Sequence, residues 1–490
     1  MANAPKPPNP NQLAGAIVDI ATGHTQPQID SEPSAASQLG GLGGLKGGRA
    51  RADRLTRQPT QRDRPYGRRE VSEMTAEVAV LNKTGVAIAA DSAVTTGFPG
   101  KEKIFTTANK IFTLSKFQPV GVMINGHVEH LGMPWEVKIK DFRHGLGSQQ
   151  FDDLREYVDL FLKAITEKRF LSRDGQIVSV LVNTLSTMGE LENRLAGESM
   201  PWRSADIKKT LEKMLEDANE REFIPGFESI SDRKFTTEYG AIIDDVSTNE
   251  EHTDKKIPAV CKVLFRRVVL AAMSRQMASQ FSTGLVITGY GTENLVPKLY
   301  EISIDGAFLD QVRLFDVGNL DVAKDGAAIA PFAQDDIVNS FLNGIDRKFE
   351  IFNAGFFAHS IELIADEILH SHTNLSKDER LVATQLVRKK IGEAFADIRE
   401  ESDAFSQQEF RQPVLDVLRT APKEVLAELA ESLVSITSLR QRVSGDLETV
   451  GGPVDVALIS KGEGFIWIKR KHYFETELNP HYTTNYFREV

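Results

Sequence analysis

Thr75 follows Met74 and opens an alternating stretch, Thr75-Ala76-Glu77-Val78-Ala79-Val80-Leu81, which turns at Lys83-Thr84-Gly85 into Val86-Ala87-Ile88-Ala89-Ala90-Asp91. A threonine at a chain terminus carries a nucleophile in its hydroxyl and a base in its own α-amino group. That amine titrates at about 7.7–8.0, so it accepts a proton near neutrality without a histidine. Asp91 ends the second strand, and Lys110 opens Lys110-Ile111-Phe112 downstream. Singly, each has an ordinary reading: a strand residue, a turn cap, a solvated strand-edge lysine. Their joint order is what points to nucleophilic chemistry.

Such residues need strands to hold them. Alternation and β-branched residues predict strands over 77–83 and 86–91, then 110–115 and 119–124. Phe151, Leu154, Val158, Phe161 and Ile165 repeat at helical spacing, and a second apolar helix covers 260–280. Residues 170–256 are mixed and less readable. Strands return at 284–289, 298–302 and 312–317. A long helical block follows over 335–441, with faces at Ile337-Phe341-Ile345 and Val425-Leu429-Leu433-Ile436. The chain closes with Gly451-Gly452-Pro453-Val454 and a hairpin through 454–469. This order predicts an α+β fold of two antiparallel sheets stacked face to face, with helices outside. The hairpins argue against a doubly wound parallel sheet.

The chain has 490 residues, of which 41% are apolar and 26% charged, enough to bury a sizeable core. A net charge of -11 disfavours nucleic acid as a partner. No apolar run approaches the roughly 18 residues that span a bilayer. Cys261, the one cysteine, lies in an apolar helical stretch, which fits a core position and a reducing cytoplasm. Residues 1–74 stand apart: they are rich in Pro, Gly, Ser, Gln and Arg, and Tyr66 is their one aromatic. That composition predicts disorder. It is read as a propeptide removed by self-cleavage, a partner-binding tail, or a leader that is not translated, with Met74 as initiator. The first and third readings both expose Thr75, and the purine-rich coding potential of Arg69-Glu70 favours the third.

From Thr75 to about Glu129 the chain resembles the start of a proteasome β-subunit and of the related proteolytic subunit of a bacterial ATP-dependent protease. Both are N-terminal-nucleophile (Ntn) hydrolases. The matching residues are Thr75, the Gly85-Val86-Ala87-Ile88-Ala89-Ala90-Asp91-Ser92 string, Thr95-Thr96-Gly97, Lys110 and Gly121-Val122-Met123-Ile124-Asn125-Gly126. Gly451-Gly452-Pro453-Val454 and the last hairpin resemble the closing strands. The resemblance implies a four-layer αββα sandwich over 75–490, with helical insertions at about 145–282 and 335–445. It implies Thr75, Asp91 and Lys110 as catalytic residues and the Asn125–Gly126 turn as oxyanion donor, where the family usually has Gly-Gly. It places Thr95 on the substrate backbone, and Val94, Met123 and His127 around the specificity pocket. The family's further Asp and serines fall near Gln334-Asp335-Asp336 and Asp446 to Thr449.

The implied activity is a threonine peptidase, with no cofactor or metal, acting on peptides or unfolded protein. A homo-oligomeric ring and an ATP-dependent unfoldase are the implied partners, with no nucleic acid and no membrane. Two other readings stay open: an amidohydrolase acting on small amides, and a catalytically silent scaffold. Other signals read plainly. His370-Ser371-His372 reads as solvated, Gly289-Tyr290-Gly291 as a hairpin turn, Arg388-Lys389-Lys390 as a solvated helix face, and Phe356-Phe357 as core.

Overall fold

Every residue of β1 (Ala76–Asn82) and β2 (Gly85–Ala90) is buried, as expected of apolar strands covered on both faces. The computed structural model describes residues 75–96, 103–195, 203–248, 256–279, 282–333, 335–371, 376–443, 451–472, 474–481 and 484. Expectations for 1–74 and for Asp446–Thr449 therefore lie outside the described residues.

Next in the chain come β3 (Val94–Thr96), β4 (Lys103–Phe105), β5 (Ile111–Thr113), β6 (Val120–Gly126), β7 (Glu129–His130) and β8 (Met133–Pro134). Helices α1 (Trp135–Leu146) and α2 (Leu154–Ile165) precede α3 (Arg173–Leu195), α4 (Ser204–Asn219), α5 (Asp232–Thr248) and α6 (Lys262–Ser274). Strands resume as β9 (Thr283–Gly289), β10 (Lys298–Phe308) and β11 (Gln311–Asp321), then the short α7 (Val322–Asp325) and β12 (Ala327–Ala333). Five helices follow: α8 (Asp336–Asn343), α9 (Arg347–Ser371), α10 (Lys377–Ser406), α11 (Gln412–Leu418) and α12 (Lys423–Val443). β13 (Asp455–Ser460) and β14 (Gly464–Lys469) complete the sheets.

The fold is α+β with two five-stranded sheets, ordered β12-β1-β2-β13-β14 and β11-β10-β9-β6-β5, all paired antiparallel. Strand alternation sorts their side chains. Val78, Val80, Ala87, Ala89, Val456 and Leu458 pack with Leu426, Ala430, Leu433 and Val434 of α12. The intervening Ala79, Leu81, Ile88 and Ile459 share a cluster with Ile111, Met123, Val286 and Leu299 of the other sheet. Val122, Ile124, Leu285 and Ile287, with the opposite parity, meet Trp135, Ile139, Val158 and Phe161 of α1 and α2.

Several expectations need correction. β12 went unread because Ala-Ala-Ile-Ala-Pro-Phe-Ala is alanine-rich and holds a proline. It lies at a sheet edge, Pro331 opposite Val78, where a missing N–H is tolerated. The buried stripe of α12 is Leu426, Ala427, Ala430, Leu433, Val434 and Thr437, while Val425 and Ile436 are exposed. The small residues let that helix lie close on the sheet, which rotates its buried face away from the bulkier side chains. α8 shows the same offset, burying Val338 and Leu342 while Phe341 is exposed. Phe356 and Phe357 are 57% and 55% exposed and belong to no core cluster.

In the unread 170–256 stretch the described residues form three helices, α3, α4 and α5. α3–α6 form their own core with Phe308 and Phe315 of the β10–β11 hairpin, and Cys261 lies inside it. One buried cation ties this bundle to the sheet. A register shift between Ile304 and Ala307 turns Asp305 inward, with Gly306 at φ +78°. A Cβ on Gly306 would come within 2.2 Å of Ser179 Oγ, so glycine is required there. Arg313 Nη1 then donates to Asp305 Oδ2 at 2.5 Å and to Asn183 Oδ1 at 3.3 Å. Its Nε donates to Met273 O at 2.7 Å and its Nη2 to Met277 O at 2.6 Å.

A second buried cation sits under α1. Lys138 is wholly buried; its Nζ lies 2.7 Å from His130 Nδ1 and over the Trp135 and Phe170 rings. Burial lowers Lys138 from 10.5 to about 8, and burial plus the adjacent Lys138 lowers His130 to about 3. Folded protein thus gives up the Lys138 proton near pH 8, whereas the unfolded chain holds it to about 10.5. Stability therefore rises with pH across that window. In urea titrations the wild type is expected to gain about 3 kcal/mol there, a gain absent from Lys138→Met.

Candidate active site

Three stretches of chain besides its own converge on the Asp91 carboxylate. β2 delivers Asp91 at its end, beside the first residues of β1. Asp91 Oδ1 accepts from Lys110 Nζ at 2.6 Å and from the Ala76 N–H at 3.1 Å. Oδ2 accepts from the Gly451 N–H at 2.9 Å and from the Ala93 N–H at 3.3 Å. The Asp91 N–H donates in return to Ala76 O at 3.1 Å. Both members of the ion pair are buried, Asp91 at 1% and Lys110 at 3% exposure.

Lys110 comes from the second sheet: its carbonyl accepts the Ile124 N–H at 2.9 Å, which extends the β5–β6 ladder by one step. The ion pair thus joins an end of one sheet to an end of the other. Because Lys110 Nζ and the Ala76 N–H share Asp91 Oδ1, the ammonium lies no farther from the peptide after Thr75 than those two contacts laid end to end. Thr75 itself is 5% exposed. Its Oγ1 is buried and, among the described residues, has no hydrogen-bond partner.

One participant escaped sequence reasoning. Glu77, 1% exposed, sits with Oε1 4.0 Å from Lys110 Nζ. By alternation it shares the β1 face of Ala79 and Leu81, which looks toward the second sheet. Lys110 therefore stands between two buried carboxylates. The signal was available: a lone acid within an apolar run is unusual for a strand buried on both faces.

The Gly451-Gly452 segment is part of the support. Gly452 takes φ +80°, and a Cβ there would approach Thr106 O to 2.6 Å. Ser92 N donates to Gly451 O at 3.2 Å and Ser92 Oγ to Pro453 O at 2.5 Å. This pins the C-terminal strand against the end of β2.

Asn125 and Gly126 end β6, directly after Ile124, with Gly126 at φ +76°. Asn125 pairs with Gly284 of β9, where a Cβ would lie 2.2 Å from Asn125 Oδ1. The side chain that departs from the family's Gly-Gly is therefore housed by a missing side chain across the ladder. Val94, at 9% exposure, and Thr95 lie on β3, which pairs with β4 and not with the main sheets. His127 is exposed just past β6, and its carbonyl accepts from Thr283 Oγ1.

Met123 is a correction. It is wholly buried in the cluster between the sheets and offers no surface to a specificity pocket. Strand parity decides this, since Met123 shares a face with Ile111 and Val286 rather than with the neighbouring Ile124. Asp335 accepts from Asn339 Nδ2, and Asp336 reaches Lys348, so these carboxylates are engaged on α8 rather than at Asp91. His370 Nδ1 contacts Asp366 O, one turn back on its own helix; His372 and Gln334 lie outside the described residues. Among the described residues, no group of three or more His, Cys, Asp and Glu is placed to hold a metal. No described helix is long and apolar enough to cross a membrane. No family model matches this chain, and no curated protein matches it.

Proposed function

We propose that the chain is a threonine hydrolase of the proteasome-like Ntn kind, built as a four-layer αββα sandwich, that cuts amide bonds in peptides or unfolded protein. One observation carries this reading: the carboxylate that fixes Lys110 also fixes the peptide N–H next to Thr75. A nucleophile, an ammonium and a buried acid are thereby gathered from separate strands. The layering supports the reading as well, since one core cluster lies between the sheets and separate clusters lie under α12 and under α1–α2.

On a chain that begins at Thr75, Oγ attacks the substrate carbonyl carbon while the α-amine takes the hydroxyl proton. Lys110 stabilises the developing alkoxide and disfavours protonation of the amine. Amide N–H groups at Asn125–Gly126 receive the oxyanion. The tetrahedral carbon collapses to an ester on Thr75, and the proton moves to the departing amine. Water then hydrolyses the ester and regenerates the hydroxyl. Thr95 presents substrate as an added strand, with Val94 and His127 near the scissile residue. A homo-oligomeric ring in the cytoplasm, fed by an ATP-driven unfoldase, is the assembly this reading implies.

A peptide epoxyketone tests it on protein whose first residue has been verified as Thr75 by intact mass. One adduct on Thr75 is expected, and none on Thr75→Ala. Absence of labelling with Thr75 at the terminus overturns the enzyme reading and leaves a silent scaffold. Parallel turnover assays on peptides and small amides identify the substrate class.

A further inference from the structure

α9 and α10 run side by side, Arg388 Nε lying 3.4 Å from Glu362 Oε1. Their roots are fastened to the domain by Ser406 Oγ to Asn343 O at 2.8 Å and by Arg440 Nη2 to Asp346 Oδ2 at 3.1 Å. Beyond those roots the pair is largely exposed among the described residues. α9 has no buried residue, although Phe352, Phe356, Phe357, Leu363, Ile364 and Ile368 make it strongly apolar, each 52–60% exposed.

These side chains do not form one stripe. At helical spacing Phe352, Phe356 and Leu363 fall on one side, while Phe357, Ile364 and Ile368 fall on another. A single neighbouring helix covers one such side, and a helix apolar on several sides belongs inside a larger bundle. Leu386 and Ile398 add further exposed apolar surface on α10. Half-exposed side chains of this size leave on the order of 1,000 Å² of apolar surface per helix pair. The largest patch on an ordinary monomer is roughly 300–600 Å², and each partner in a stable dimer buries about 800 Å².

The charges on α10 select the occupant. Arg388, Lys389 and Lys390 are 64%, 73% and 68% exposed. About three turns on come Asp397, Glu400, Glu401 and Asp403, also exposed. Between the two blocks lie Gly392, Ala394 and Ala396, together with Glu393, which pairs with Lys389 and Lys390 along the same helix. At helical spacing Ala394 shares one side of α10 with Lys390 and Glu401, whereas Gly392 lies on the opposite side. With Glu393 and Arg399 counted, residues 388–393 carry three cations and one anion and residues 397–403 four anions and one cation, so the helix is complementary to itself when reversed. Two copies crossing antiparallel near Ala394 set the basic block of each against the acidic block of the other, the isologous arrangement of a two-fold dimer.

We propose that α9 and α10 form a dimerisation arm whose occupant is the same arm of a second copy, closing a four-helix bundle. No residue of the Asp91–Lys110 site takes part, so the arm and the hydrolase reading stand or fall separately.

Sedimentation velocity on the full chain tests the arm. Wild type is expected to assemble. Lys389→Glu with Lys390→Glu should raise the dissociation constant of the contact at least about tenfold, through like-charge apposition. Adding Glu400→Lys and Glu401→Lys to the same chain should restore it. Ala394→Cys should give a covalent dimer under mild oxidation, since Cys261 is buried. A monomeric wild type, or one captured only by lipid vesicles, overturns the proposal. Charge reversal without effect, or no cross-link at 394, does so too. A ring built on other surfaces would survive the reversal unchanged, and Thr75 labelling reports on the hydrolase site independently.

Discussion

Lys110→Met is expected to lower the unfolding free energy by roughly 3–5 kcal/mol, because it removes the cation from a buried pair. The cause is what remains. Asp91 keeps three backbone N–H donors, from Ala76, Ala93 and Gly451, but Glu77 and Asp91 would then share a buried space without the ammonium between them. The double variant Lys110→Met/Glu77→Gln should recover part of the loss, since one of the two acids can no longer ionise. Urea unfolding of the single and double variants measures that coupling. A single-variant loss below about 1 kcal/mol would show that the carboxylates do not depend on Lys110. Under the proposed mechanism the same substitution lowers amide cleavage at least about 100-fold, as losing a positioned acid–base or electrostatic group does. A Lys110→Arg chain should separate the two effects, keeping a charge for stability while displacing it from the nucleophile.

Arg313→Ala is expected to cost a similar ~3–5 kcal/mol, because it removes from β11 the cation that ties the sheet to the helical insertion. Its guanidinium feeds carbonyls at Met273 and Met277 and the Asn183 amide, all of which would be left buried without a donor. Asp305 would keep its contacts with Ser279, at 2.5 and 2.6 Å, but lose its buried cation. Lysine should not rescue, because a point ammonium cannot reach along three directions as the planar fork does. If Arg313→Lys is as stable as wild type by urea unfolding, the forked geometry is not what holds the bundle to the β10–β11 hairpin.

Legibility in the sequence followed the strength of local patterning. The strands leading to Asp91 and Lys110 were readable because their apolar runs and Lys83-Thr84-Gly85 turn act locally. α2 was readable because Leu154, Val158, Phe161 and Ile165 repeat at helical spacing, and an Asp153–Glu156 capping box starts the helix there. β12 was not, since its strand character comes from pairing with β1 rather than from its own alanines and proline. The buried faces of α8 and α12 were misplaced by a residue, and in α12 the cause is that Ala427 and Ala430 make the close contact where bulk was taken for burial. Glu77 stood out as a lone acid in an apolar run, but its partner Lys110 arrives from another sheet, which spacing along one strand does not reveal.

The amide that completes the Asp91 shell belongs to Gly451, 360 residues farther along the chain. A nascent polypeptide emerging from the ribosome carries Thr75, Asp91 and Lys110 long before that N–H exists. During synthesis the carboxylate is therefore one donor short, and β13, which pairs with β2, has yet to be made. Under the proposed mechanism the site is therefore completed late, as a by-product of chain order, and an unfinished polypeptide lacks the full shell around Asp91.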